Sequence, residues 1–311
     1  MARPRQSNFG DTDICNDFRT EVSDGPVMTL AVSFEVFPPK SASGLDGLRD
    51  TVASLRSAQP AFISVTYGAG GSDRERSFAA IETVGSAGCE VAGHLTCVGQ
   101  PRDDVDAVIG RYATLGVRRI VALRGDPPAG IGADYEPHAD GYQRTADLVA
   151  AIKQRGDFDV AVSAYPERHP QSPTTDHDLD VLAEKVAAGA DRAMTQMFFD
   201  NALFLRYRDR LSARGIGIPI VPGIFPIHSF SAVARFAERC GASMPTSVSD
   251  RFAGVDGVEA SQQAAVELAA EQISELVTHG VEHVHLYTLN RADLALAVCE
   301  RIGNVSNAFA A

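Results

Sequence analysis

The side chains in this chain that could do acid–base or charge chemistry fall at recurring places, at the ends of short apolar runs. Glu35 interrupts the run Ala31–Phe37 just before Pro38-Pro39, and His94 and Thr96 close the run Glu90–Thr96. Arg124-Gly125-Asp126 follows Arg119–Leu123 and stops at Pro127-Pro128. Tyr165 and His169 follow Phe158–Ala164, Thr195-Gln196 lies within Arg192–Met197, and Tyr287 and Arg291 stand at the last run. Glu35 is the least ordinary of these. A carboxylate in a buried strand is costly unless it has a partner, a raised pKa or water. Arg124 is one candidate partner. A carboxyl that keeps its proton near neutral pH is instead a general acid. Arg-Gly-Asp after a strand offers both signs of charge on a freely shaped backbone, or it is simply a solvated loop.

The elements that must position these groups alternate in texture. Strand-like, β-branched runs are expected at Ala31–Phe37, Phe62–Thr66, Glu90–Thr96, Arg119–Leu123, Phe158–Ala164, Arg192–Met197, Ile218–Pro222 and His283–Tyr287. Helical spacing follows each, over about 45–58, 73–87, 103–115, 142–155, 176–189, 201–214, 229–240 and 292–302. Ser72-Asp73 and Asp200-Asn201 suit helix starts, and Gly116, Gly189 and Gly215 suit helix ends. Eight strand-then-helix units predict a closed α/β barrel, the (β/α)8 TIM barrel, whose strand ends converge on one mouth. An open doubly wound sheet is the alternative, but its Gly-x-Gly-x-x-Gly fingerprint does not occur. Residues 1–30 read as an N-terminal arm, and 31–311 as a single catalytic domain. An insertion over about 241–280, with segments near Ser247–Phe252 and Glu259–Thr278, reads as extra helices packed on the barrel before the last strand.

Composition narrows the function classes. A net charge of -12 argues against a general nucleic-acid binder, which would carry a basic face. No apolar run is long enough to cross a bilayer, and the first thirty residues lack the pattern of a signal peptide, so a cytoplasmic protein is expected. The five cysteines, Cys15, Cys89, Cys97, Cys240 and Cys299, are scattered and suit reduced thiols. No metal site is expected. The rival on this point is a metal-dependent hydrolase, in which His283 and His285 share one strand face and His94 joins them.

The residues at the strand ends also form an ordered set of motifs. Ser33-Phe34-Glu35-Val36-Phe37-Pro38-Pro39-Lys40, Ser64-Val65-Thr66-Tyr67-Gly68-Ala69, His94-Leu95-Thr96-Cys97 and Ala122-Leu123-Arg124-Gly125-Asp126 come first. Ala164-Tyr165-Pro166-Glu167, Thr195-Gln196 with Phe198-Phe199-Asp200, Pro222-Gly223-Ile224 and Tyr287-Thr288-Leu289-Asn290-Arg291 complete it. From about residue 31 to 303 the chain thereby resembles the methylenetetrahydrofolate reductases. The resemblance implies a flavin-dependent (β/α)8 barrel of one-carbon and methionine metabolism. Its FAD takes a hydride from NADH or NADPH and passes it to 5,10-methylenetetrahydrofolate, giving 5-methyltetrahydrofolate in a ping-pong sequence.

It further implies roles for particular residues. Glu35 is the general acid that protonates N10, and Asp126 lies between flavin and pterin, where an anion favours the iminium. Thr66, Tyr67, Ala69, His94, Arg124, Gly125, Asp126, Tyr165, His169, Asp178 and Lys185 are the implied flavin contacts. Without the resemblance, Asp178 and Lys185 read as an exposed helical face. Glu35, Gln196, Phe236, Tyr287 and Arg291 are the implied contacts to the reduced folate, Phe236 being equally readable as a core residue. Ala232, Glu184 and Val181 depart from the pattern, standing where a glutamine, a basic residue and an asparagine can occur. The partners implied are a small-molecule folate and copies of the same chain in a homo-oligomer, with neither nucleic acid nor membrane. No S-adenosylmethionine inhibition is expected, because no regulatory domain follows the barrel. A non-catalytic folate or nucleotide binder is the other rival, and the presence of Glu35 speaks against it.

Overall fold

The structure is a computed structural model describing residues 30–41, 43–68, 74–127 and 133–309, with side chains to residue 303. Residues 1–29 of the expected arm, with Cys15, and Ala69 and Ser72-Asp73 lie outside the described residues. The strands are β1 (Ala31–Val36), β2 (Ile63–Val65), β3 (Val91–Thr96), β4 (Arg119–Leu123), β5 (Asp159–Ala164), β6 (Arg192–Thr195), β7 (Ile220–Val221), β8 (Gly223–Ile224) and β9 (His283–Tyr287). Every pairing is parallel, in the order β7-β6-β5-β4-β3-β2-β1-β9-β8. The helices are α1 (Gly44–Leu55), α2 (Arg74–Ser86), α3 (Arg102–Thr114), α4 (Thr145–Arg155), α5 (Thr175–Ala187), α6 (Asn201–Ala213), α7 (Phe230–Cys240), α8 (Thr246–Phe252), α9 (Val258–Thr278) and α10 (Ala292–Phe309). This is the expected (β/α)8 barrel.

The ring closes through a broken strand. The expected run Ile218–Pro222 holds β7, and β8 follows beyond its end, the two separated only by Pro222. Proline offers no N–H to a ladder, so the strand cannot run through it unbroken. β7 pairs with β6, β8 pairs with β9, and the His285 N–H donates to the Pro222 carbonyl at 2.9 Å. The Gly223 N–H turns to Thr195 Oγ1 at 2.9 Å. A Cβ on Gly223 would stand 2.3 Å from the Thr195 carbonyl oxygen and 2.7 Å from the Tyr287 ring. Only glycine fits this closure.

Alternation along the strands divides the side chains into two cores. Phe34, Val36, Ile63, Val65, Leu95, Ile120 and Val162 point outward into the large core under the helices. Phe62, Ala92, Val121, Ala161, Met194 and Val221 fill the barrel interior. Below them, at the amino ends of the strands, Asp159 is shared by Arg119 and Arg192; Arg192 donates from Nε at 3.0 Å and from a terminal nitrogen at 2.6 Å. The functional groups therefore sit above an apolar plug, itself above a charged floor.

Helix ends largely follow the expected signals. Asp200 accepts the Ala202 N–H at 2.9 Å, and Gly116, Gly189 and Gly215 carry φ of 76°, 109° and 72°. α4 begins at Thr145, three residues later than expected, because the Asp147 carboxylate takes the Arg144 N–H at 3.1 Å and caps the helix there. The insertion forms α8 and α9. Buried Ala265, Ala269, Ile273 and Leu276 of α9 pack it on the barrel wall against α6 and α10, and Asn201 of α6 donates to Glu275 at 2.7 Å. Among the described residues, none of the insertion lines the mouth described below.

Gly223→Ala is expected to destabilise the fold by about 1–3 kcal/mol or more through overpacking. Gly47→Ala, in α1 with open space around it, is expected to be neutral or slightly stabilising. Denaturant unfolding of the two variants checks both.

Candidate active site

At the carboxyl ends of the strands lies a cavity of about 790 Å³. It is lined by Glu35, Thr66, Tyr67, His94, Arg124, Gly125, Asp126, Tyr165, His169, Asp178, Lys185, Gln196, Phe236 and Tyr287. Distant segments of the chain thus meet at one rim. Arg291 is not among the lining residues; its N–H closes the turn onto the Thr288 carbonyl at 2.8 Å.

Glu35 is the central group. It is carried into the barrel by β1, in register with Ser64 on one side and Tyr287 on the other. His94 Nε2 lies 3.5 Å from its Oε2. Burial raises the Glu35 carboxyl to about 8 and lowers the His94 imidazole to about 4, so at neutral pH both are uncharged and the contact is not an ion pair. Tyr112 fixes His94 from behind, its hydroxyl donating to the His94 carbonyl at 2.6 Å. Its ring lies where a Cβ on Gly93 would be, at 2.6 Å.

The alternative in which Arg124 neutralises Glu35 does not hold. Arg124 donates to Gln171 Oε1 at 2.6 Å, and its guanidinium stacks 4.3 Å from the centre of the Tyr135 ring. The rim cation and the barrel acid are kept apart. Gly125 turns the chain between Arg124 and Asp126 at φ 85°, where a Cβ would meet Val98 at 2.5 Å and Thr96 at 2.8 Å. Asp126 stands exposed at the mouth.

The opposite wall comes from β5 and α5. Lys185 is buried, its Nζ donating to the Ser163 carbonyl at 3.0 Å and lying 3.2 Å from the Ser163 hydroxyl. The reading of an exposed face fails for this residue, because α5 turns it under the strand ends. Burial lowers its ammonium to about 8, opposed by Asp178 and assisted by Arg124. Asp178 accepts the His169 N–H at 3.1 Å, and His169 meets Tyr165 edge-on with ring centres 4.8 Å apart. Glu184 does not stand as a bare anion: Arg144, also lining the cavity, donates to it at 3.2 Å and to Asp147 at 2.8 Å.

The remaining wall suits a flat ring. Phe236 is exposed rather than core, 5.9 Å from Phe225, which in turn lies 5.8 Å from Tyr287. Tyr287 donates to the Thr195 carbonyl at 2.7 Å. Gln196 Oε1 accepts the Met197 N–H at 2.9 Å, which leaves the amide its NH₂ and one oxygen lone pair for a ligand. Tyr67 donates to Gln100 at 3.2 Å, and Gln100 to the Thr96 carbonyl at 3.0 Å.

Ser163, Gln171, Gln100, Arg144 and Cys240 also line or brace this cavity, and sequence reasoning does not single them out. Ser163 is within reach of the alternation argument, two residues before Tyr165; the others carry no local signal. The metal reading finds no support in the histidines. Ser33 Oγ lies 2.7 Å from His285 Nδ1 and 2.9 Å from His283 Nε2, and His285 stacks on Phe62. Among the described residues no three His, Cys, Asp or Glu side chains cluster as metal ligands. No helix of the described residues is long and apolar enough to cross a membrane.

Comparison with known proteins identifies the family. The family model described as methylenetetrahydrofolate reductase matches residues 24–303. The 5,10-methylenetetrahydrofolate reductase of Salmonella typhimurium is 40% identical over 276 residues, 88% of this chain and 91% of that protein. Methylenetetrahydrofolate reductase (NADH) 1 of Arabidopsis thaliana is 34% identical over 286 residues, 88% of this chain but 48% of that one. A Clostridium thermocellum protein described as binding two copies of 5-methyl-5,6,7,8-tetrahydrofolic acid shares the fold, with a TM-score of 0.57 at 10% identity over 90% of this chain and 96% of that one. The barrel and its converging strand ends place this chain among the TIM-barrel proteins. Within them it belongs to the methylenetetrahydrofolate reductase family.

The buried acid has a consequence for stability. Folded, Glu35 holds its proton up to about pH 8, whereas an unfolded glutamate releases it near 4.5. Its contribution is therefore fully present below 4.5 and is lost as pH rises to 8. His94, held neutral down to about 4 against an ordinary 6.5, acts in the opposite sense, its contribution being lost as pH falls from 6.5 to 4. Between pH 6.5 and 8 only the Glu35 contribution of this pair slopes, and a loss on the order of 2 kcal/mol is expected there. Glu35→Gln should flatten that slope in thermal melts across the same range.

Proposed function

We propose that this chain reduces 5,10-methylenetetrahydrofolate to 5-methyltetrahydrofolate with FAD and a nicotinamide donor, with Glu35 as the proton donor. The observation that carries this reading is a carboxyl buried with no cation beside it, inside the same cavity that holds Arg124, Arg144 and Lys185. The cavity also fits the flavin. Its size is within the range of cofactor sites, and buried Thr96 Oγ1 and His94 Nε2 have no hydrogen-bond partner among the described residues.

FAD, when bound, supplies the two-electron relay between the nicotinamide and the folate. Thr66, Tyr67, Ala69, His94, Arg124, Gly125, Tyr165, His169, Asp178 and Lys185 would hold it. Arg124, Lys185 and His169 would bring the donors a diphosphate needs, and Asp178 would accept from a ribose hydroxyl. The Arg144–Glu184 pair at the rim supplies a cation near the position where the chain departs from the family pattern.

Glu35 delivers its proton to N10 of the substrate as the bond from N10 to the bridging methylene breaks. The methylene is left as a cationic iminium on N5, and hydride addition to that carbon completes the methyl group. Asp126 stabilises the cation through the field of its carboxylate, and Glu35, once ionised, adds to that field. Gln196 orients the pterin edge and Phe236 stacks on the folate or the nicotinamide. Tyr287 and Arg291 complete the substrate contacts, Arg291 acting from outside the cavity lining on the more distant part of the folate. NADH is the donor to test first, given the name of the Arabidopsis relative.

The purified protein is expected to be yellow and to bleach when NADH is added without oxygen. In Glu35→Gln the bleaching should persist while reoxidation by methylenetetrahydrofolate falls by orders of magnitude. In the unaltered protein that reoxidation should slow as pH rises through about 8, where the acid loses its proton. A colourless protein, or a Glu35→Gln variant with undiminished folate turnover, defeats the reading.

A further inference from the structure

We propose that Asn290, assisted by Thr288, is a positioning residue for the acid: the turn after β9 grips the end of β1 at the Glu35 carbonyl and at Phe37 and sets where the Glu35 carboxyl stands. This rests on the reaction proposed above. Four hydrogen bonds make the grip. The Thr288 hydroxyl donates to the Glu35 carbonyl at 2.6 Å, and the Thr288 N–H reaches the same oxygen at 3.3 Å. Asn290 Oδ1 accepts the Phe37 N–H at 2.9 Å, and its Nδ2 donates to the Phe37 carbonyl at 2.9 Å. The β1–β9 register ends at Glu35 and Tyr287. The carboxamide thus takes over as a strand partner one step beyond the last rung.

The turn takes up an uncommon backbone to do this. Leu289 and Asn290 are consecutive non-glycine residues in the left-handed region, at φ 52° and 56°. Asparagine enters that region readily, leucine does not, and such a conformation persists only where its surroundings over-determine it. A plain helix cap does not account for it. Asn290 precedes α10, yet its carboxamide spends both groups on Phe37 instead of on the first N–H groups of the helix. Thr288 and Asn290 do not line the cavity, while Glu35 and Phe37 do, so they act through β1.

Around Glu35 the titratable neighbours are His94 from β3 and Tyr287 from β9; β2 contributes Ser64, its partner in register, and Thr66 follows at its end. A shift of β1 toward the mouth would hydrate the carboxyl, whose raised pKa comes from burial. The position of the acid and its pH range should move together.

Anaerobic rapid mixing of the flavin-loaded protein tests this. In Asn290→Ala, bleaching by NADH should stay within about twofold of the unaltered protein, whereas reoxidation by methylenetetrahydrofolate should slow on the order of 10–100-fold, the range for a small misplacement of a reacting group. Its decline at high pH should move to lower pH. In the ligand-free protein the loss of melting temperature between about pH 6.5 and 8 should shrink. Thr288→Val should follow Asn290→Ala in part, and Thr288→Ser should behave as the unaltered protein. An unchanged rate and pH profile in Asn290→Ala overturns the proposal, as does an equal fall in both half-reactions. If Asn290→Ala does not fold, Thr288→Val against Thr288→Ser decides by the same criteria. Glu35→Gln is run alongside: its loss of reoxidation with Asn290→Ala unaffected defeats the positioning role alone. Failure of the unaltered protein to reoxidise with folate defeats the assigned reaction.

Discussion

A carboxyl buried without a cation beside it is the constraint on which the rest of this site depends. Water is the ordinary stabiliser of an ionised glutamate, and the barrel interior withholds it. Glu35 therefore keeps its proton, and its close ionisable contact, His94, is itself held neutral by the same burial. With Arg124 turned inward, the carboxylate would ionise and the proton would be gone. Gln171 and the Tyr135 ring engage that guanidinium at the rim instead. Gln171 and Tyr135 thereby keep the cation apart from the acid.

The barrel supports this separation in layers. Its floor carries two arginines on one carboxylate, its middle is mostly apolar with Ser33, Ser64 and His285 hydrogen-bonded among themselves, and its top holds the acid. Charges at the floor are thereby distant from Glu35. At the mouth, Lys185 is brought under the strand ends by Ser163, in the same cavity as Arg124. One cavity therefore contains a neutral, desolvated carboxyl and, apart from it, the cations Arg124, Arg144 and Lys185. That pairing suits a substrate that must be protonated beside a cofactor that carries phosphate.

Much of this is legible in the residues alone. Period-two alternation places Glu35, His94 and Thr96 on inward faces, and eight strand ends followed by helices imply one mouth. The departures share a cause. Lys185 reads as exposed because helical spacing says which residues share a face, not what that face meets; α5 lies against β5, so the face is buried. Phe236 reads equally well as core, and only the position of α7 at the rim leaves it open. The run expected at Ile218–Pro222 stops at the proline, because apolarity does not reveal that the ladder resumes past it in Gly223–Ile224.

What the sequence determined by itself was the alternation, the glycine and proline punctuation and the types of residue at each strand end. These are local properties, set by side-chain chemistry and backbone sterics over a few residues. What only the tertiary structure decided was which charges meet. Arg124 chose Gln171 over Glu35, Arg144 chose Glu184, and Asn290 chose the Phe37 backbone, 253 positions away in the chain. Electrostatic and hydrogen-bond energies depend on distance in space and on exclusion of water, and neither is defined until the barrel closes.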